Sequence, residues 1–326
     1  MIVTLTANPS IDRTVTLGGR LERGSVLRAV ATHNDPGGKG VNVARALTSA
    51  GVATVAILPA NAGDPLPSTL RDNKIEHVTV AMSGSARTNI TITEPDGTTT
   101  KINEPGVPMT AQSLADLHTA LSEFGARADW VVLAGSLPPG VPTDWYGTLV
   151  ESLRSASCKV AVDTSDAPLL ALAERFPSAA PDLVKPNSEE LAQLTGYDGR
   201  LLEEAALQGD PTAAAHAGRL LLDRGVETVL VTLGAAGAVL VTNDGSWWAT
   251  PPPIVARSTV GAGDSSLAGY LAAHVAGAAP PECLRSAVAY GSAAAALPGT
   301  TLPSPEHVHR DAVTVTALTS PAPDPA

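Results

Sequence analysis

The chain has 326 residues and a formal net charge of −11, long enough for one large α/β core and too acidic to favour nucleic acid as a partner. Aromatics are only 3% of the residues, so abundant Ala, Val, Leu and Gly favour close helix–sheet packing over an aromatic-lined groove. The first residues lack the basic and long apolar regions of a signal peptide, and no apolar run approaches the roughly 20 residues that span a membrane, so the expected location is cytoplasmic. Cys158 and Cys283 form neither a metal motif nor a disulfide framework, and both are expected in the core.

Short apolar strands alternate with helical patterns, which predicts a largely parallel sheet with helices on its faces. In chain order, the spacing predicts a strand over 2–6, a helix over 40–50, a strand over 54–58, a helix over 65–73 and a helix over 111–124. Then come strand 130–134, helix 144–156, strand 159–163, strand 183–185, helix 189–195, helix 212–224 and strand 228–232. An antiparallel pair, 238–242 and 246–249, should turn at Asn243-Asp244-Gly245, and helices over 264–276 and 281–296 close the series. Segments 13–31 and 87–103 break the alternation. They read as β-rich and fit either a small sheet covering a site or two surface hairpins. The Pro-rich end, 319–326, reads as a disordered tail.

Several loops carry chemistry. Pro36-Gly37-Gly38-Lys39-Gly40-Val41-Asn42 enters a helix, yet Gly40 after Lys39 rules out a Walker A loop. Val43 stands where a dinucleotide loop needs its third glycine, which disfavours a dehydrogenase. Close backbone approach, a cation and the Asn42 amide instead suit a polyhydroxylated anionic ligand, with a plain turn as the alternative. Gly135-Ser136 follows a strand and offers a hydroxyl and free N–H groups. Lys185-Pro186-Asn187-Ser188-Glu189-Glu190 follows another strand. Asn187 and Glu190 are spaced either for a helix capping box or for a polar pair supporting a metal–phosphate site. Thr232-Leu233-Gly234-Ala235-Ala236-Gly237 is, by itself, a hairpin turn.

The most informative stretch is Ser258-Thr259-Val260-Gly261-Ala262-Gly263-Asp264. Small residues deliver the chain to the positive end of a helix, a natural anion site. A carboxylate there would repel phosphate, so Asp264 fits a general base beside a transferring phosphoryl group; the alternative is a simple helix cap.

Taken together, these motifs resemble the PfkB group of the ribokinase-like carbohydrate kinases, from Met1 to about Leu302, and within it the phosphofructokinase and tagatose-phosphate kinase subgroup. Residues 258–264, continued by Ala268-Gly269, are similar to the C-terminal signature. Residues 37–42 are similar to the N-terminal one, and Thr6-Ala7-Asn8-Pro9-Ser10-Ile11-Asp12 to the subgroup's opening. The resemblance implies a three-layer α/β/α kinase domain (1–12, 32–86 and 104–318) with a mostly parallel sheet and a small β-sheet lid (13–31 and 87–103) through which a homodimer would form. It implies ATP as phosphoryl donor with Mg²⁺, Asp264 as base, and the backbone of Gly261, Ala262 and Gly263 as anion hole. Asp12, Gly37, Gly38, Asn42 and Asn103 would serve the sugar, with Lys39 assisting. Arg28, Arg87 and Ser136 would receive the phosphate already on it. Lys185, Asn187, Thr232, Gly234 and Gly237 would organise ATP, and Glu190 its metal through water. The implied reaction is phosphorylation of D-fructose 1-phosphate to the 1,6-bisphosphate, with tagatose 6-phosphate or fructose 6-phosphate as alternative acceptors. A sugar-phosphate sensor without turnover is the reading from another class.

Overall fold

The first strand, β1 (Ile2–Thr6), sends Val3 and Leu5 to one side of a sheet and Ile2, Thr4 and Thr6 to the other, and all five residues are buried. Burial on both faces marks a central parallel strand. The computed structural model describes residues 1–318, so the expected disordered tail at 319–326 lies outside the described residues.

After β1 the chain leaves the main layer through β2 (Ser10–Leu17) and β3 (Ala29–Gly37), then returns with α1 (Lys39–Ser49), β4 (Thr54–Pro59), α2 (Pro65–Asp72) and β5 (His77–Val80). It leaves again through β6 (Arg87–Thr93) and β7 (Thr99–Asn103). From α3 (Ala111–Gly125) it alternates through β8 (Trp130–Ala134), α4 (Trp145–Leu153), β9 (Lys159–Asp163), α5 (Asp166–Glu174) and β10 (Leu183–Val184). Three helices follow, α6 (Ser188–Thr195), α7 (Gly199–Leu207) and α8 (Thr212–Leu222), then β11 (Thr228–Thr232), β12 (Ala238–Thr242) and β13 (Gly245–Thr250). The described chain ends with α9 (Ala262–Val275), α10 (Pro280–Ala295) and β14 (Thr314–Leu318).

Ten strands form one sheet in the order β14-β13-β12-β11-β10-β9-β8-β1-β4-β5, parallel from β11 to β5 and antiparallel from β11 to β14. Helices α1, α9 and α10 cover one face, where Val43, Leu47, Leu267, Leu271, Leu284 and Ala287 pack on the strands. On the other face, α3 and α4 pack through Leu117, Leu121, Tyr146 and Leu149, and α6 to α8 cover the half nearer β11. This is the three-layer α/β/α arrangement expected. Both cysteines are buried. Among the described residues no helix is long and apolar enough to cross a membrane.

The two β-rich segments are not independent hairpins. They share a four-stranded sheet in the order β3-β2-β6-β7, with β2 and β6 parallel at its centre. Its strand β3 runs on to Gly37, past the expected end at residue 31, because exposed polar residues on an edge strand show no apolar alternation in sequence.

Two helices appear in stretches where the sequence pattern predicted no element. In α5, Pro168 sits in the first turn, where no N–H partner is required. In α7, Gly199 is the first helical residue, and a Cβ there would lie 2.8 Å from the Glu189 Cα, so the glycine permits close packing against α6.

Candidate active site

Two glycine loops meet above the C-terminal ends of the parallel strands, where open α/β sheets place their ligands. The first passes from β3 into α1. Gly38 has φ +106, and an added Cβ would sit 2.7 Å from the Thr6 side chain, so only glycine lets the loop cross the end of β1. The second enters α9 through Gly261, whose φ of +75 makes it a left-handed N-cap.

Asp264 lies in the first turn of α9 but does not cap it: no side chain fills that role. Its Oδ2 instead accepts a hydrogen bond from Asn42 Nδ2 on α1 at 2.8 Å, joining the two loops across 222 residues of sequence. Asp264 is 7% exposed. Burial, reinforced by the nearby Asp163 carboxylate, pushes its pKa up to about 6, against the pull of Lys39, Asn42 and Lys185. The helix-cap reading is therefore replaced by that of a buried carboxylate in the first turn of α9, bonded across to α1. Ala262 N–H reaches Thr259 O at 3.3 Å, while first-turn geometry leaves the Gly263 and Asp264 N–H groups without an intrahelical acceptor.

A charge cluster stands beside this base. Lys39 Nζ lies 2.8 Å from Asp163 Oδ1 and 3.9 Å from Glu190 Oε1, and Lys185 Nζ lies 3.0 Å from Asp163 Oδ2. Burial drives the Asp163 carboxyl up, but Lys185 and Lys39 together outweigh it and hold it below the ordinary value. Burial likewise lowers Lys39, and Asp163, Glu190 and Asp264 more than offset it, so its ammonium stays charged. Lys185 sits against Gly263, where a Cβ would come within 3.3 Å of its Nζ.

Asn187 and Glu190 form a complete capping box: Glu190 N donates to Asn187 Oδ1 at 2.8 Å and Asn187 N to Glu190 Oε2 at 2.9 Å. The box occupies one Glu190 oxygen and leaves Oε1 turned toward Lys39. No cluster of three or more metal-ligating side chains occurs among the described residues. The Glu190 oxygen left outside the capping box, a hard carboxylate donor, nevertheless fits Mg²⁺, which keeps most of its water and needs few protein ligands, whereas both Asp163 oxygens are taken by Lys39 and Lys185.

Thr232 is bridged to Asn187, with its N–H on Pro186 O at 3.0 Å, which brings the β11 end beside α6. Gly234 follows with φ +54, and a Cβ there would meet Glu203 Oε1 at 2.3 Å. Gly237 has a packing reason of its own, because a Cβ would come into hard contact with the Ala249 carbonyl across the hairpin.

At the other end of the cleft, Asp12 lies against Gly37, where a Cβ would fall 2.3 Å from its carboxyl carbon. Arg87 Nη1 donates to Glu104 O at 2.9 Å; burial lowers its pKa, opposed by Asp12 and Glu104. Ser136 is exposed at the end of β8 and accepts from Asn8 Nδ2 at 3.2 Å. Asn103 ends β7 in register with Asn89. Arg28 stands in the exposed connection between β2 and β3, and no hydrogen bond or ion pair ties it to these residues.

Sequence reading missed Asp163, which joins Lys39 to Lys185. The available signal was its position as the last residue of a parallel strand. Asn89 and Ser10, both bonded to Asp12, were also missed.

A family model described as "pfkB family carbohydrate kinase" matches residues 5–307. A 1-phosphofructokinase of Xanthomonas campestris pv. campestris is 38% identical over 292 residues, covering 88% of this chain and 89% of that protein. A 1-phosphofructokinase of Rhodobacter capsulatus is 37% identical over 98% of each chain. The crystal structure of phosphofructokinase-2 from Escherichia coli in complex with substrates and products superposes with a TM-score of 0.84 at 30% identity, covering 94% of this chain and 96% of that one. With the ribokinase-like fold and both glycine loops in place, the chain is a phosphotransferase and belongs to the pfkB family of carbohydrate kinases.

Proposed function

We propose that the protein transfers the γ-phosphoryl group of ATP to the 6-hydroxyl of D-fructose 1-phosphate, giving the 1,6-bisphosphate and ADP. The observation that carries this reading is the Asn42–Asp264 hydrogen bond, which holds a buried carboxylate between the two glycine loops. The relatives at 38% and 37% identity bear the name of that activity.

In this account Asp264 accepts the proton of the 6-hydroxyl as its oxygen bonds to the γ-phosphorus, and the bond from that phosphorus to the β–γ bridging oxygen breaks. Negative charge on the transferring group faces the backbone N–H groups of the Gly261-Ala262-Gly263 turn, of which Gly263 is free of an intrahelical acceptor, with Asp264 N–H and the Lys39 ammonium beside them. Asp12, Gly38 and Asn42 receive sugar hydroxyls, while Arg87 and Ser136 receive the 1-phosphate. Lys185, Asn187, Thr232 and Gly234 border the nucleotide. Glu190 Oε1 would hold Mg²⁺ through water, and the metal when bound would neutralise charge on the donor phosphates.

Arg28, exposed between β2 and β3, would join the phosphate site on a lid paired with a second copy of the chain. Val26, Val30 and Ile102, exposed at 88%, 67% and 54%, give that lid an apolar surface for pairing.

The test is a coupled ADP-release assay over fructose 1-phosphate, tagatose 6-phosphate, fructose 6-phosphate and unphosphorylated fructose. The reading expects the highest kcat/KM for fructose 1-phosphate. Ligand-dependent melting shifts with no ADP from any sugar would make the protein a sensor instead.

A further inference from the structure

Ser10 and Asn89 have no part in the chemistry above, yet both are bonded to Asp12. Ser10 Oγ donates to Asp12 Oδ1 at 2.7 Å. Asn89 Nδ2 donates to the same oxygen at 3.0 Å and to Ser10 Oγ at 3.0 Å. The register produces this arrangement. Strands β2 and β6 run parallel with Ser10 opposite Arg87 and Asp12 opposite Asn89, and residues two apart on a strand share a face. On the flank, β3 brings Gly37 so close that a Cβ would fall within 2.4 Å of both Asp12 oxygens.

The two carboxylate oxygens of Asp12 therefore differ. Oδ1 is taken by two donors, whereas Oδ2 accepts from none among the described residues and is not enclosed. Asn89 is uneven in the same way. Its amide nitrogen makes both bonds, and its Oδ1 is buried with no partner. An amide kept only for stability would be a poor choice, since an apolar side chain of similar shape leaves no buried carbonyl oxygen unmet.

We propose that Asn89, together with Ser10, is a positioning residue for Asp12. The pair saturates Oδ1 and fixes the carboxylate plane, so that Oδ2 alone accepts from adjacent hydroxyls of the ketohexose phosphate. Both the affinity for the sugar and the discrimination between epimers at those hydroxyls depend on that orientation. This inference rests on the sugar-phosphate kinase reading given above.

The test compares Asn89→Leu, Ser10→Ala and the double variant with wild type. The acceptor is the hexose monophosphate that wild type phosphorylates fastest, and melting temperature is recorded alongside. Asn89→Leu is expected to raise KM for the sugar phosphate about tenfold, as loss of a hydrogen bond to a charged group does, with kcat and KM for ATP within about twofold. Its melting temperature should be unchanged or higher. It should also narrow the kcat/KM gap between fructose 6-phosphate and tagatose 6-phosphate, which differ only in the configuration at C4. In the double variant the two effects should fall short of additive, because both act through one oxygen. Should Asn89→Leu fail to fold, Ser10→Ala alone gives the same KM-against-kcat split.

An unmoved sugar KM in a wild type that phosphorylates the sugar overturns the positioning role and leaves the kinase reading standing. So does an equal rise in KM for ATP. A wild type that forms no ADP with any sugar phosphate removes the kinase reading and this inference with it.

Discussion

Asp264 is one residue whose surroundings decide its chemistry. Enclosed and next to Asp163, it titrates near 6, so its basic form predominates at neutral pH while its proton affinity exceeds that of a solvated aspartate. Replacing it by Asn should lower kcat by about 10²–10⁴-fold, the range for loss of a general base, with ATP affinity measured by calorimetry largely kept. In wild type, kcat/KM should climb as pH rises through about 6, because only the deprotonated carboxylate accepts the hydroxyl proton. Stability runs the other way. The folded form keeps a proton that the unfolded chain releases near 3.9, so stability contributed by this group falls as pH rises from about 3.9 to 6. Asp264→Asn should accordingly melt above wild type at pH 7.5 and lose that lead below pH 4. Asp163 behaves oppositely. Its carboxylate is fully buried between two ammonium groups, and the Lys185 side chain is only 4% exposed. Asp163→Ala leaves Lys185 charged and unpaired, and should destabilise the protein by about 3–5 kcal/mol in urea unfolding.

The glycine loops set these residues in place at the scale of elements. Gly261 holds φ +75 at the start of α9, with the Leu302 side chain 3.0 Å from where a Cβ would stand. Gly261→Ala must adopt a conformation costing about 1–3 kcal/mol or move Leu302. We expect a lower melting temperature and a larger proportional loss of kcat than of ATP affinity, since the turn aims the first N–H groups of the helix. Both loops were legible because glycine clusters before a helix have few other uses. The central strands were legible too: Ile2–Thr6, Trp130–Ala134 and Thr228–Thr232 are short apolar runs ended by turns. Helices α5 and α7 were not picked out; each carries a residue disfavoured in helix interiors, Pro168 and Gly199, that is harmless in a first turn. Asp163 was hidden for another reason. Nothing in its local sequence marks a site, and its meaning comes from Lys39, 124 residues away, together with Lys185. The capping box shows the converse limit. Asn187 and Glu190 were recognisable as a pair, but only the fold shows that one Glu190 oxygen serves the cap while the other faces Lys39.

Across the whole molecule, the layers of the ten-stranded sheet carry Asp264 and the Gly261–Gly263 turn at α9, Lys39 on α1 and Asp163 on β9, and the four-stranded sheet carries Asp12 and Arg87. In the proposed reaction the acceptor site spans both sheets, because Asp12 and Arg87 stand on the smaller one and Asn42, Ser136 and Asp264 in the layers of the larger. The apolar residues on the lid predict that it pairs with a second copy, so sedimentation should show a dimer. Val30→Asp, which buries a charge at that contact, should shift it toward monomer and raise KM for the sugar phosphate through loss of Arg28. The central claim remains that Asp264 deprotonates the hydroxyl of a phosphorylated ketohexose. The most direct measurement is ADP release by wild type and Asp264→Asn with fructose 1-phosphate as acceptor, beside the other hexose phosphates. The account predicts sugar-dependent turnover greatest with fructose 1-phosphate and reduced at least about 100-fold in the variant. Near-normal turnover by Asp264→Asn, or no sugar-dependent ADP from wild type, would contradict it.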